Sequence, residues 1–250
     1  MQRVILFTII ASLSLLMGFT DPLTSLPPSS QIKVNNLQRP FVPAQTPDVT
    51  MVNIPFKSQK ANQPLIIIDP GHGGDDFGTH SLGTPRYQEK YLNMSTAQMV
   101  KKFLQQFGYK IVMTRTDDTF ISLEQRAIFA NNQNPVLFVS IHYNSAPSRD
   151  AEGIEVFFYR TDPDKGRVAK SKQLAQAILD RTLSNTQAKS RGVKHGNFAV
   201  IRETKMPAVL IEGGFLTNAA EMEKLKKASY LKSLALGIAQ GIQDYLEKKS

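Results

Sequence analysis

The sequence predicts a single α/β domain with a central, mostly parallel sheet flanked by helices. Three observations support this fold class: short continuous apolar runs typical of strands buried on both faces, longer amphipathic segments between them, and polar residues where the runs end. The chain has 250 residues, which is long enough for one domain with a full hydrophobic core.

The predicted elements alternate along the chain from Leu65 onward. Gly108 follows the first helix as a C-cap, and Ser122 with Gln125 forms a capping box at the start of the second. The pattern predicts strands at 65–69, 109–114, 135–141, 153–159 and 207–212. It predicts helices at 88–107, 122–132, 167–183 and 230–247, with a short helix capped by Asn218 and Glu221 before the last of these.

The first 60 residues differ in composition from the rest. Residues 1–20 place Arg3 before an apolar stretch, which is typical of a signal peptide. No A-x-A cleavage site stands out, so a cleaved signal and an uncleaved membrane tether both stay open. Residues 21–60 are rich in proline and polar residues and predict a linker to a folded domain over 61–250. We therefore expect an exported protein of the periplasm or cell envelope.

Composition excludes several functional classes. The chain contains no cysteine, which rules out disulfides, thiolate metal sites and a cysteine nucleophile. The formal net charge is +9, but the charges are dispersed and form no basic helix, so we expect no nucleic-acid partner. Anionic envelope polymers are a more suitable partner for such a surface.

Polar residues of the types that bind metals or transfer protons follow three predicted strands. Asp69 and His72 follow the first in "IIIDPGHGG", His142 follows the third in "FVSIHYN", and Glu212 ends another in "VLIEGG". In open α/β sheets the functional sites lie at the carboxyl ends of the strands. The sequence therefore predicts one site that contains these side chains.

The glycine-rich loop around His72 has four rival interpretations, the simplest of which, a plain turn histidine, leaves His142 and Glu212 unexplained. A phosphate-binding loop needs lysine and serine or threonine after the glycines, but two aspartates stand there. A serine-hydrolase oxyanion loop needs a G-x-S-x-G nucleophile elbow, which the sequence lacks. A metal site uses both His72 and His142, and it is the interpretation that accounts for most of the polar strand ends.

A catalytic zinc takes three protein ligands and keeps one position open for water. His72 and His142 would supply two of these ligands, while His80 and His195 are predicted to lie on the surface or on the substrate side. The third ligand should be a carboxylate. Glu89 begins the helix after the glycine-rich loop, where it is equally well explained as a favourable acid in the first helical turn.

Several motifs occur together and in order, namely "DPGHGGDDFG", "YQEKYL", "LFVSIHYNSA" and "MPAVLIEGGFLTN". Over about residues 65–246 the chain resembles the zinc-dependent N-acetylmuramoyl-L-alanine amidases, a family of bacterial cell-wall hydrolases. The resemblance implies one zinc ion held by His72, Glu89 and His142, and Glu212 as the catalytic carboxylate.

The resemblance also implies a substrate and a reaction. The substrate would be peptidoglycan, and the bond cut would be the amide between N-acetylmuramic acid and L-alanine, in cell-wall remodelling or cell separation. An activator protein stays open as a further partner.

Five further residues carry weaker predictions. Asp69 is predicted to orient the His72 loop, with simple loop capping as the alternative, and Asn144 and Arg202 are predicted to contact substrate. Tyr143 and Gly213 depart from the family, which often has alanine and a larger residue there. We expect Tyr143, next to His142, to alter the substrate groove.

Two other functions stay open from the sequence. A non-catalytic peptidoglycan-binding protein on the same fold would be expected to lack Glu212 or a metal ligand, but all are present. An additional serine-based D-alanine carboxypeptidase activity would use Ser229 and Lys232, which fit S-x-x-K, together with a "KHG" motif at Lys194–Gly196 that resembles K-T-G.

Overall fold

A computed structural model describes residues 63–248, all within one compact unit. These residues form six strands and six helices, bounded as follows. The strands are β1 (Leu65–Pro70), β2 (Lys110–Met113), β3 (Leu137–Asn144), β4 (Ile154–Phe158), β5 (Ser190–His195) and β6 (Ala208–Phe215). The helices are α1 (Glu89–Gln106), α2 (Leu123–Gln133), α3 (Lys165–Thr186), α4 (Ala199–Arg202), α5 (Ala219–Leu225) and α6 (Ala228–Glu247).

The strands form a single sheet in the order β2-β1-β3-β6-β4-β5, which confirms the predicted fold class. β1, β2, β3 and β6 run parallel to one another. β4 pairs antiparallel with β6 and parallel with β5, so the last two strands are reversed relative to the other four. The apolar runs predicted strand positions, but strand direction depends on how the chain crosses the sheet.

Two elements were not predicted from the sequence. β5 contains Val193 as its one large apolar residue, and its residues are only partly buried at the edge of the sheet. α4 has four residues, too few for an amphipathic repeat to be visible. Two capping predictions are confirmed: Ser122 and Gln125 form the reciprocal capping box of α2, and the Asn218 side chain caps α5. The C-cap of α1 is Phe107 rather than Gly108, which follows it with a φ of 92°.

The sheet separates two hydrophobic clusters of unequal size. Along β1, Ile66 and Ile68 point into the larger cluster with α1, α3 and α6, and Ile67 points into the smaller one beside α2 and α4. This alternation follows from the two-residue period of a strand, and both faces are apolar because both are covered. Because apolar clusters cover both faces of the sheet, its polar site residues lie at the carboxyl ends of the strands.

α6 packs directly on the backbone of α3 because it carries two glycines. A Cβ atom at Gly241 would lie 2.4 Å from the Cα of Ile178, and one at Gly237 would lie 2.5 Å from the Cα of Thr182. Either substitution would separate the two helices.

Among residues 63–248, no helix combines the length and apolar character needed to cross a membrane. The predicted signal peptide and linker lie outside the described residues.

Tyr143 and Gly213, which both depart from the family, lie against each other. Tyr143 on β3 is 2% exposed, and its hydroxyl lies 2.5 Å from the hydroxyl of Thr96 on α1. A Cβ atom at Gly213 would lie 2.8 Å from Cε1 of Tyr143. Tyr143 therefore fills the space that a side chain at position 213 would need.

This contact predicts strong coupling between the two positions. Gly213→Ala should lower the free energy of unfolding by about 1–3 kcal/mol through overpacking. In a Tyr143→Ala background most of that cost should vanish, and urea denaturation of the four proteins would measure it. Gly83→Ala is the control, because nothing lies within 4 Å of a Cβ there and little change is expected. Additive effects of the two substitutions would contradict the proposed compensation.

Candidate active site

The predicted site lies at the carboxyl ends of the parallel strands. His142 on β3 and Glu212 on β6 are paired in register, which brings their side chains to the same side of the sheet. A cavity of about 330 Å³ opens beside them, and His72 and Glu89 also line it. The structure thus brings together all four residues proposed for metal binding and catalysis.

His72, Glu89 and His142 form a compact cluster. Each offers one ligand atom within 4.8 Å of the others. His72 Nε2 lies 3.2 Å from Glu89 Oε2, and His142 Nδ1 lies 2.9 Å from Glu89 Oε1. Two imidazoles and one carboxylate, partly open to a cavity, are a ligand set that suits zinc.

Two features of the glycine-rich loop determine the position of His72: Gly71 lies directly against the ring of His142, and the backbone of His72 has a positive φ. A Cβ atom at Gly71 would lie 2.0 Å from Cε1 of His142, so only glycine fits against that ring. His72 itself has φ of 59°, and the following Gly73 and Gly74 also have positive φ. His72 Nδ1 lies 2.8 Å from Asp76 Oδ2, and Nε2 lies on the side of Glu89.

The Glu89 carboxylate is held by backbone and side-chain donors. The N–H of Thr79 donates to Oε2 at 2.9 Å, and the N–H of Tyr143 donates to Oε1 at 3.2 Å. Burial alone would raise the pKa of Glu89, but hydrogen bonds and charges from His142 and His72 bring that pKa below its usual value. The acid at the start of α1 is therefore ionised and directed into the cluster.

Arg126, which the sequence patterns did not point to, connects Asp69 to the His72 loop. Asp69 is 0% exposed, and Arg126 Nη1 on α2 donates to Oδ1 at 2.7 Å. The same guanidinium donates to the carbonyl oxygens of Pro70 at 2.8 Å and His72 at 2.7 Å. Burial would raise the pKa of Asp69, but the Arg126 charge and hydrogen bonds from Thr114, Arg126 and Ser140 lower it.

Arg115 also supports this loop, through backbone carbonyl oxygens rather than through a carboxylate. Its guanidinium donates to the carbonyl oxygen of Pro70 at 3.0 Å and to that of Gly71 at 2.8 Å. Two buried arginines therefore satisfy consecutive carbonyl groups before His72. The signal for such residues in a sequence is slight, since a buried arginine is indistinguishable from a surface one until its partners are known.

Glu212 differs from the other acids because one of its oxygens lacks a partner. Oε2 is buried and has no hydrogen-bond partner among residues 63–248. Burial raises the pKa of Glu212 well above its usual value, and the negative charges of Glu89 and Glu155 raise it further. A buried, unpaired carboxylate is costly for stability, and such groups concentrate at functional sites.

The two predicted substrate contacts differ in position. Asn144 lines the cavity, and its side-chain amide donates to Glu155 at 2.7 Å. Arg202 is not among the residues that line the cavity; it donates to Asn197 Oδ1 at 2.7 Å and to Glu203 at 2.6 Å. Both roles remain predictions. The sequence patterns did not point to the apolar side of the cavity, which is formed by Leu123, Phe198, Ala199, Val200 and Leu210.

The serine-type motifs do not come together. Ser229 lines a separate cavity with Lys224, Lys227 and Tyr230, among others. Lys194 lies on β5, where its ammonium group donates to Glu155, and it is not among the residues that line the Ser229 cavity. The arrangement gives no support to a shared serine site.

The fold and the cluster together define an α/β domain with a candidate metal-dependent hydrolase site. The sequence profile described as N-acetylmuramoyl-L-alanine amidase matches residues 66–244, and the chain belongs to this family. The family match covers the metal-ligand candidates and Glu212. It identifies the described domain as an N-acetylmuramoyl-L-alanine amidase domain, which confirms the resemblance noted in the sequence.

Individual relatives agree with the family match. The chain is 38% identical to the N-acetylmuramoyl-L-alanine amidase LytC of Bacillus subtilis over 180 residues, which is 72% of this chain and 35% of LytC. It therefore spans about a third of the length of LytC. It is 36% identical to the uncharacterized protein YqiI of the same organism, covering 73% of this chain and 85% of YqiI. The crystal structure of an amidase from Clostridium difficile 630 superposes with a TM-score of 0.71 at 42% identity, covering 76% of this chain and 100% of that one.

Proposed function

We propose that this protein is a zinc-dependent hydrolase of the amide bond between N-acetylmuramic acid and L-alanine in peptidoglycan, acting in cell-wall remodelling or cell separation. The observation that carries the proposal is the His72–Glu89–His142 cluster, open to a cavity that also contains the unpaired carboxylate of Glu212. The family supports the substrate, since its relatives are named for this reaction.

The residues present fit one zinc ion. A catalytic zinc is held by three protein ligands, and a set of two histidines and one glutamate is well suited to it. His72, Glu89 and His142 would hold the ion, and the Asp76 carboxylate lies 2.8 Å from the second nitrogen of His72. When bound, zinc supplies Lewis-acid chemistry that activates water and polarises the amide carbonyl.

Glu212 is proposed as the proton carrier of the reaction. It accepts a proton from the attacking water, whose oxygen bonds to the carbonyl carbon, and it delivers that proton to the amine nitrogen as the carbon–nitrogen bond breaks. A pKa raised by burial and by Glu89 and Glu155 suits a group that must hold a proton between these two steps. Asn144, which lines the same cavity, is proposed to contact the substrate.

Peptidoglycan lies outside the cytoplasmic membrane, so we propose that the domain acts there. Residues 1–20 would direct export as a signal peptide or stay as a membrane tether, and residues 21–60 would link them to the catalytic domain. An accessory protein is also proposed as a partner. The amidase CwlD from Clostridioides difficile, 27% identical with a TM-score of 0.69, is solved in complex with the GerS lipoprotein.

Digestion of purified peptidoglycan tests the proposed reaction. The full-length protein should release intact stem peptides with a new free L-alanine amine and leave the glycan chains unbroken, as mass spectrometry of the products would show. Removal of zinc with a chelator should abolish the release, and added zinc should restore it, because the ion would activate the water and polarise the amide carbonyl. Full activity in a verified zinc-free sample would contradict the zinc assignment.

Ser229→Ala separates this proposal from the serine alternative. The variant should release stem peptides at nearly the wild-type rate, because Ser229 lies in a different cavity from Glu212. A loss of terminal D-alanine that depends on Ser229 would establish a second activity. If that were the sole reaction observed, with stems still attached to muramic acid, the amidase proposal would be wrong.

A further inference from the structure

Asn93 connects the helix and the loop that carry two of the proposed zinc ligands. It lies one turn after Glu89 on α1, so both side chains project from the same face of the helix. Asn93 is 0% exposed, and its Nδ2 donates to Glu89 Oε1 at 3.2 Å and to the carbonyl oxygen of Gly71 at 3.1 Å. Gly71 precedes His72 and lies against the ring of His142.

The chemistry of the neighbours determines how the Asn93 amide is oriented. A carboxylate and a carbonyl group can only accept hydrogen bonds, so the NH₂ group must face them and the amide oxygen must point away. That oxygen is buried and has no hydrogen-bond partner among the described residues. A buried unpaired acceptor opposes folding, and leucine, of similar size, would avoid that cost. The NH₂ group, by contrast, makes both of its hydrogen bonds to the metal cluster and the loop that carries His72.

We propose that Asn93 is a positioning residue for the metal site, which acts with the N–H groups of Thr79 and Tyr143 to set the orientation of the Glu89 carboxylate before zinc binds. The two oxygens of Glu89 face different imidazoles, Oε1 toward His142 and Oε2 toward His72. A rotation of the carboxylate would disturb both contacts, and the hydrogen bond from Asn93 opposes that rotation. This inference rests on the proposed function, because it assumes that the cluster binds zinc.

Zinc affinity of two variants, measured on the full-length protein, tests the inference. Asn93→Leu removes both donated hydrogen bonds at similar volume, and Asn93→Asp replaces the donor with a second negative charge beside Glu89. We expect about 10- to 100-fold weaker zinc binding in competition with a chromophoric chelator, as is typical when a residue that orients a metal ligand is lost. In denaturant unfolding, metal-free Asn93→Leu should be at least as stable as the metal-free wild type.

Thr182→Val provides the matched control. Thr182 is also 0% exposed, and its hydroxyl donates to the carbonyl oxygen of Ile178 within α3, so its loss should affect stability but not zinc affinity. Zinc affinities of both Asn93 variants within about twofold of the wild type would overturn the inference. Failure of both variants to fold would also overturn it, since the role would then be structural. A wild-type protein that binds no zinc would overturn the proposed function and this inference with it.

Discussion

Replacing Glu212 with glutamine is expected to lower the amidase rate by roughly 10²–10⁴-fold while zinc stays bound, which is the usual contribution of general acid–base catalysis. Glutamine has nearly the same shape but cannot accept and return the proton. The metal cluster should stay intact, because the three candidate ligands are His72, Glu89 and His142. The release of stem peptides and the zinc content of the purified variant, measured together, separate the two effects.

Two further variants make this experiment specific. Glu89→Ala should lose zinc affinity as well as activity, because it removes a ligand. Glu221→Gln is the control: this glutamate is also buried, but it accepts hydrogen bonds from the backbone N–H groups of Gly153 and Phe215, and it does not line the cavity. The Glu221→Gln variant should release stem peptides at the wild-type rate per folded molecule. If Glu212→Gln loses zinc while Glu89→Ala retains it, the two roles have been exchanged.

Arg126→Met is expected to lower the free energy of unfolding by about 3–5 kcal/mol, the usual cost of leaving one partner of a buried ion pair alone. The substitution leaves Asp69 charged and fully buried, and it removes the donors to the carbonyl oxygens of Pro70 and His72. Chemical denaturation measures the loss. The matched control is Arg181→Met, because Arg181 pairs with Asp244 at the surface, where a pair contributes less than about 1 kcal/mol.

The pH dependence of this difference gives an independent check. The pKa of Asp69 is lowered in the folded protein, so its ion pair stabilises the fold above the unfolded-state pKa of about 3.9 and loses that contribution as pH falls. The gap in stability between wild type and Arg126→Met should therefore narrow in acid. A gap that stays constant from neutral pH to about pH 3 would show that the Asp69 charge does not carry the effect.

The residue pattern alone was enough to predict that His72, His142 and Glu212 meet at one edge of the sheet. His72, His142 and Glu212 each follow an apolar run, and parallel strands necessarily bring their carboxyl ends to one edge. The position of Glu89 allowed two explanations, a metal ligand or an acid that is favourable in the first turn of a helix without any ligand. The resemblance to the amidase family was needed to choose between these two explanations.

Other parts of the site could not be predicted in this way. The residues that support the cluster act through partners distant in the chain: Arg126 lies 57 residues from Asp69, and Thr96 lies 47 residues from Tyr143. Nothing in the local pattern around a buried arginine or asparagine indicates which carbonyl or carboxylate it will meet. For the same reason the compensation between Tyr143 and Gly213 was not visible, and each looked like an isolated departure.

The sequence by itself determined the fold class, the positions of five of the six strands, and the chemical types gathered at the carboxyl edge of the sheet. These follow from local rules, because burial on two faces requires continuous apolar runs and helices require a repeat of three or four residues. The tertiary structure alone decided the reversed direction of β4 and β5, the edge strand β5 itself, the hydrogen bond from the Tyr143 N–H to Glu89, and the one from Arg126 to the His72 carbonyl. Each of these depends on contacts between distant segments, whose energies come from packing and hydrogen-bond geometry that no short stretch of sequence contains.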